Sequence, residues 1–236
     1  IGGGYQQFSG LGLDRLVRAL RSAGLGSPTG IDVPGEAAGL VPTQAWKLAT
    51  RGEPWYIGDT YHLAIGQGDL LVTPLQVANW TALIANDGTL FRPRLAMGSV
   101  GPDGLAAKGK VEVIRRVFSG GGDLALVRSG MRATVTVGSA RALADALVPI
   151  AGKTGTAEWS DRRPPHGWFT GFAPADAPEL VVTVLIEEGG EGSRGAAAVA
   201  KEIVNWWAVN RLGVQPRRSR SETATNTPLI FTPPAE

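Results

Sequence analysis

Apolar residues recur at helical spacing at Leu13, Leu16, Val17 and Leu20, with Arg15, Arg18 and Arg21 on other faces, and Gly24 ends the run. From Gly26 to about Gly58 the chain is rich in Pro and Gly, as in Ser27-Pro28-Thr29-Gly30 and Val33-Pro34-Gly35-Glu36. That composition predicts mostly loop with short elements, and a loop this long inside a compact unit often carries function. After Gly66-Gln67-Gly68-Asp69, Thr73 stands where an N-cap belongs and Pro74 where the first helical residue belongs. The helix they open is predicted to bury Leu75, Ala78, Ala82 and Leu83 and to end at Gly88. Leu90 to Lys110 reads as extended chain with turns. A further helix is predicted from about Asp123 to Val135, with Leu124, Val127 and Met131 facing inward.

The period then changes. Gly152 to Trp159, Trp168 to Ala173 and Leu180 to Glu187 are short runs of β-formers separated by turn residues such as Arg163-Pro164-Pro165 and Asp176-Ala177-Pro178. Connections this short predict an antiparallel meander. A closing helix follows from about Ala196 to Arg211, carrying Trp206 and Trp207, which are expected to pack on the sheet. Helices first, then an antiparallel sheet covered by a terminal helix, is an α+β arrangement. Residues 1–213 are read as one unit and 214–236, polar and proline-rich, as a flexible tail.

Composition narrows the function classes. With 43% hydrophobic residues the chain has material for a core, and a net charge of +2 gives no footprint for nucleic acid. The tail run Arg217-Arg218-Ser219-Arg220 is short, has no interleaved aromatics and reads as solvated. The absence of cysteine excludes disulfides, thiolate metal sites and cysteine nucleophiles. Two histidines, His62 and His166, do not make a histidine metal site. Asp59 and Asp69, isolated in Gly-rich segments, are expected to make local turn bonds rather than hold a metal. His166 is expected to serve strand entry. No apolar run reaches membrane-spanning length. The opening Ile1-Gly2-Gly3-Gly4-Tyr5, without an initiator methionine, reads as the continuation of something longer.

The most informative run is Gly152-Lys153-Thr154-Gly155-Thr156-Ala157-Glu158-Trp159. A phosphate-binding P-loop needs a glycine at the position occupied by Leu147 and a helix opening after the lysine, whereas β-formers and a turn follow. The alternative is a Lys-Thr-Gly strand of the kind found in active-site serine acyltransferases. Lys153 would place a fixed positive charge beside a cleft, Thr154 and Thr156 would donate hydroxyls to a carboxylate, and Gly155 would let a peptide lie along the strand. Three common residues recur by chance, so the run by itself is equally an exposed lysine in an ordinary strand.

Its company decides between these. Gly24-Leu25-Gly26, Thr29-Gly30-Ile31-Asp32, Pro34-Gly35-Glu36, Gly58-Asp59-Thr60, Ala64-Ile65-Gly66-Gln67-Gly68, Val72-Thr73-Pro74-Leu75-Gln76, Gly130-Met131-Arg132 and Trp168-Phe169-Thr170-Gly171-Phe172-Ala173-Pro174 stand around the strand in order. Together they resemble class B penicillin-binding proteins of the elongation type, over nearly all the chain to the closing helix. The resemblance implies the transpeptidase fold shared with β-lactamases, here incomplete, with an antiparallel sheet flanked by helices. It also implies a serine that attacks the D-Ala-D-Ala end of a peptidoglycan stem peptide, an acyl-enzyme trapped by β-lactams, and no cofactor. Lys153, Thr154, Gly155 and Thr156 would form the substrate-binding strand, with the Thr156 N–H as an oxyanion donor. A SEDS-family glycosyltransferase would be the partner, and an N-terminal anchor would hold the protein at the extracytoplasmic face of the cell membrane.

One departure limits that expectation. The family's Ser-x-x-Lys and Ser-x-Asn motifs do not occur in this sequence: Gln44, Leu105, Ala107, Ile150 and Ala198 stand three positions before the five lysines. Ser129-Gly130-Met131-Arg132 ends in an arginine, which stays protonated and cannot be a general base. The chain is therefore expected to hold one wall of an active site, inactive by itself. A non-catalytic remnant or pseudoenzyme acting as a scaffold is the second reading. A β-lactamase or penicillin-sensing domain is the third, opposed by Gly66-Gln67-Gly68 and Thr73-Pro74-Leu75-Gln76. Exposed apolar surface and poor solubility are expected of the segment made alone.

Overall fold

The computed structural model describes residues 10–101, 106–118 and 121–215. The first five residues, the tail from residue 216 and its Arg217-Arg218-Ser219-Arg220 run lie outside the described residues. Four helices come first: α1 (Leu13–Ser22), α2 (Gln44–Arg51), α3 (Ile57–Ala64) and α4 (Pro74–Ala85). The apolar stripe of α1 does what its spacing predicts, burying Leu16 and Val17 against Leu25, Val41 and Leu63, with Trp55, Val72 and Trp80 at the margin. The Pro/Gly-rich stretch is loop interrupted by α2, which Thr43 caps through a bond from the Trp46 N–H. Helix α3 begins at its end, where no helix is expected.

Helix α4 starts as predicted. The Thr73 hydroxyl accepts from the Gln76 N–H at 3.1 Å while the Gln76 side-chain oxygen accepts from the Thr73 N–H at 3.0 Å. This reciprocal pair satisfies two donors that a helix start leaves over. The buried stripe differs from the expected one. Leu83 is fully buried, but Leu75, Ala78 and Ala82 are half-buried, and Gln76, Thr81 and Ala85 are buried instead. Polar residues can enter this stripe because each is paired. The Gln76 amide donates to the Ser27 and Ala38 carbonyls at 2.8 Å each, and the Thr81 hydroxyl bonds the Val77 carbonyl and the Thr170 hydroxyl.

Two small antiparallel pairs follow, β1 (Thr89–Phe91) with β4 (Val113–Arg116), and β2 (Gly98–Val100) with β3 (Ala106–Lys108). Helix α5 (Gly121–Thr136) buries Leu124, Met131 and Val135, but Val127 is 44% exposed, contrary to expectation. At 100° per residue, Val127 lies about 60° off the line through those three. Arg128 lies nearer that line, and its Nε donates to the Ile84 carbonyl at 2.8 Å.

The last third is the predicted meander: β5 (Ala151–Ala157), β6 (His166–Ala173) and β7 (Leu180–Ile186), antiparallel and in the order β5-β6-β7. Side chains alternate between two faces. On one, Phe169, Val182 and Val184 meet Ala196, Ala197, Ala200, Val204 and Ala208 of α6 (Gly195–Leu212), whose alanines allow close approach. On the other, Ala151 and Phe172 meet Ala85 of α4 and Met131 of α5. Trp207 packs against the α6 core, whereas Trp206 is 62% exposed and does not pack on the sheet as expected. It stands two residues from Val204, roughly 200° around the helix. The arrangement is α+β, as the pattern predicts.

Gln76 ties the long loop to the helix beneath the sheet. Gln76→Ala removes the donor from two carbonyls and one half of the cap, and each buried group left unpaired costs about 1–3 kcal/mol. The expected outcome is a loss of roughly 2–4 kcal/mol, read as a lowered urea midpoint with an unchanged slope.

Candidate functional site

Strand β5 is paired along one side only. Seven register pairs, from Ala151 opposite Phe172 to Ala157 opposite His166, join it to β6, and among the described residues no strand pairs with its other side. Lys153, Thr154, Gly155 and Thr156 therefore lie on an edge strand, which excludes a helix-opening P-loop at Gly152-Lys153-Thr154. Three carbonyls at even-numbered positions accept from donors other than β6. The Ile150 oxygen accepts from Arg132 Nη1 at 2.7 Å, the Thr154 oxygen from Lys153 Nζ at 2.7 Å, and the Thr156 oxygen from Gln67 Nε2 at 3.1 Å. In an antiparallel strand a residue's N–H and C=O point to the same side, so the Thr154 and Thr156 N–H groups also face the open edge.

That edge borders a cleft of about 680 Å³, lined by Lys153 to Trp159, by Gly66 to Val72, and by Val77, Trp80 and Trp168. It runs between the helical cluster of α1–α3 and the sheet. Lys153 and Gly155 share their sheet face with Trp168 and Thr170, their register partners. A Cβ on Gly155 would lie 3.2 Å from Trp168 Cβ, so glycine here accommodates that neighbour as well as leaving the strand approachable. The Thr154 hydroxyl shares a 2.6 Å hydrogen bond with Ser139, a residue that sequence reasoning missed and that sits just beyond α5.

The opposite wall is positioned by α2 and α3. Lys47 is 5% exposed, and its ammonium bonds Asp59 Oδ2 at 2.7 Å. Asp59 also accepts from the Tyr56 N–H at 2.7 Å, starting α3. The expected local role of Asp59 is thus only half of its work, because it holds a buried cation from another helix. Asp69 pairs with Arg51, also of α2. Where α3 ends, Gly66 and Gly68 take φ of 78° and 72°, and the Gln67 N–H bonds the His62 carbonyl at 2.9 Å. Left-handed backbone on both sides suits glycine and turns Gln67 toward β5. Among the described residues no group of His, Cys, Asp or Glu could hold a metal ion.

At the far end of the cleft, the rings of Trp159 and His166 stack at 5.1 Å, Arg163 lies over Trp159, and the Glu188 N–H donates to His166 Nδ1 at 3.0 Å. His166 is the first residue of β6, consistent with strand entry. Other motif residues prove to be scaffolding. Glu36 accepts from the Thr29 N–H and hydroxyl and the Gly30 N–H; burial opposes its ionisation, but these donors hold its pKa below the usual value. The Leu95 and Ala96 N–H groups do the same for Asp32.

The Lys47 ammonium bond lowers the Asp59 pKa against the opposing cost of burial, and the same bond raises the Lys47 pKa. A carboxyl lowered on folding stabilises above its unfolded pKa and loses that contribution as pH falls through the folded value. An ammonium raised on folding contributes below its unfolded pKa and loses it as pH climbs through the folded value. Melting temperature is therefore expected to plateau between an acid and an alkaline shoulder. Lys47→Met should destabilise more than Lys47→Met with Asp59→Asn, because the single change strands a carboxylate, and the double variant should flatten both shoulders.

The family profile of the penicillin binding protein transpeptidase domain matches residues 4–205. The peptidoglycan D,D-transpeptidase MrdA of Acinetobacter baumannii is 35% identical over 220 residues, 85% of this chain and 32% of that protein. The chain thus spans about a third of the length of the curated relatives it matches. The crystal structure of Pseudomonas aeruginosa PBP2 in complex with WCK 5153 superposes with a TM-score of 0.76 at 37% identity, covering 87% of this chain and 46% of that one. Helicobacter pylori PBP2, in a complex with MreC, superposes with a TM-score of 0.72 at 32% identity, covering 83% and 35%.

Proposed function

The chain belongs to the penicillin-binding protein transpeptidase family, and we propose that it forms the substrate-binding wall of a peptidoglycan D,D-transpeptidase working through a serine acyl-enzyme. The observation that carries this reading is the open edge of β5, with its exposed lysine, beside a cleft. A peptide in extended form adds to such an edge through its backbone, and its terminal carboxylate needs a cation and hydroxyl donors. Lys153 supplies the charge and Thr154 and Thr156 the hydroxyls. The outward Thr156 N–H is placed to stabilise the oxyanion that forms when a carbonyl at the edge is attacked.

The nucleophilic serine and its base come from Ser-x-x-Lys and Ser-x-Asn motifs outside this sequence, in a longer gene product. The serine takes the acyl group of the stem peptide with loss of D-alanine, and an amine of a neighbouring strand then accepts it. β-Lactams enter as mimics of the dipeptide. The exposed Ile57 and Tyr61 of α3, with Ile65 just past its end, form apolar surface that the remainder of such a product would cover. An N-terminal anchor outside this sequence would set the protein at the extracytoplasmic membrane face, beside a SEDS-family glycosyltransferase. No described helix is long and apolar enough to cross a membrane.

Fluorescent penicillin should label one band in membranes of the source organism, well above 24.6 kDa, that an antibody to this segment also recognises. In the full-length gene product, Lys153→Ala removes a charge-assisted contact and should slow labelling roughly ten- to a hundredfold. An antibody band of only this size, unlabelled, would instead favour a non-catalytic scaffold.

A further inference from the structure

Among the carbonyls on the open edge of β5, that of Thr156 is occupied by a group that resembles the ligand expected there. Gln67 Nε2 is a primary amide N–H, chemically close to the N–H of a peptide, and it donates to the Thr156 oxygen at 3.1 Å across 89 positions of sequence. The other two occupants differ in kind. Arg132 reaches the Ile150 carbonyl in a part-buried setting outside the cleft lining, and Lys153 folds onto its own strand.

The bond from Gln67 is solvent-exposed and is the one its side chain makes among the described residues. By contrast, Gln76 is 1% exposed and holds two carbonyls and a cap. A buried amide with several partners is fixed; a half-buried amide with one acceptor exchanges that acceptor at little net cost, because amide–carbonyl bonds of similar kind replace one another. An unpaired strand edge also invites unwanted strand addition, which proteins prevent by covering it.

Resting on the acyl-transfer reading above, we infer that Gln67 is a stand-in for the substrate. Its side-chain amide caps the Thr156 carbonyl until the backbone N–H of a peptide, or the acylamido N–H of a penicillin, takes that acceptor and displaces it. Gln67 is then a positioning residue that acts through Thr156 and competes with the incoming amide. The capped state lowers apparent affinity in proportion to its population. It covers that part of the edge between turnovers.

The test measures the second-order acylation rate of the full-length gene product with two probes. Benzylpenicillin carries an acylamido N–H on its β-lactam ring; a carbapenem of the imipenem type carries none there. Removing the competitor by Gln67→Ala should raise the benzylpenicillin rate about fivefold, the worth of one ordinary hydrogen bond, and leave the carbapenem rate within about twofold. Gln67→Met keeps the length and the neutral charge but has no N–H to donate, and it should behave like Gln67→Ala, which guards against misfolding of the shortened side chain. Equal changes with both probes, or no change with either, would overturn the inference and leave Gln67 as a structural tie. If neither probe acylates the unaltered protein, the acyl-transfer reading itself fails, and the inference falls with it.

Discussion

The site depends on one asymmetry: β5 is paired with a strand on one side and, among the described residues, with no strand on the other. An edge strand is a liability unless it is covered or used. Here the pairing with β6 fixes the strand's direction and register, and alternation then dictates which backbone groups face outward. Everything assigned to the cleft follows from that: a cation on the strand, hydroxyls at Thr154 and Thr156, and outward N–H groups beside them. Shifting the register by one residue would exchange the inward and outward sets and dissolve the site.

The rest of the fold keeps that edge straight and accessible. On one face, Phe169 and the alanine stripe of α6 form an apolar layer with little room for adjustment. On the other, α4 is secured to the sheet through Thr81 and Thr170 and to the long loop through Gln76. The cleft's second wall hangs on a different kind of tie. Lys47 and Asp59 hold α2 to α3, and α3 ends in the two left-handed glycines that aim Gln67. An apolar sheet core and a buried ion pair thus support the two walls, and α4 joins them, with Trp80 packed on the α1 cluster and Thr81 bonded to Thr170.

Legibility in the sequence followed the range of the interactions. Local signals read well: Thr73 and Pro74 start α4, the α1 stripe is where its period puts it, and the β-rich runs form the meander. The Lys-Thr-Gly run lies in a strand at a cleft, as its β-type surroundings predicted. What was missed depends on contacts distant in sequence. Helix α3 relies on Asp59 being held by Lys47, Val127 lost its inward place to Arg128, and Trp206 faces away because Val204 and Ala208 already fill the seam. Gln67 and Ser139 carry no local signal for their bonds to Thr156 and Thr154. The Gly66-Gln67-Gly68 run marked a special backbone, but only the fold shows where its amide goes.

Amide hydrogen exchange on the full-length gene product, with and without benzylpenicillin, reads the open edge of β5 itself. Exchange should slow in a peptide covering residues 152–157 once ligand is bound, because the outward Thr154 and Thr156 N–H groups gain partners or are covered. Peptides from α6, already packed against the far face of the sheet, should be unchanged. Acylation with no added protection in 152–157 would mean that the ligand binds along another edge.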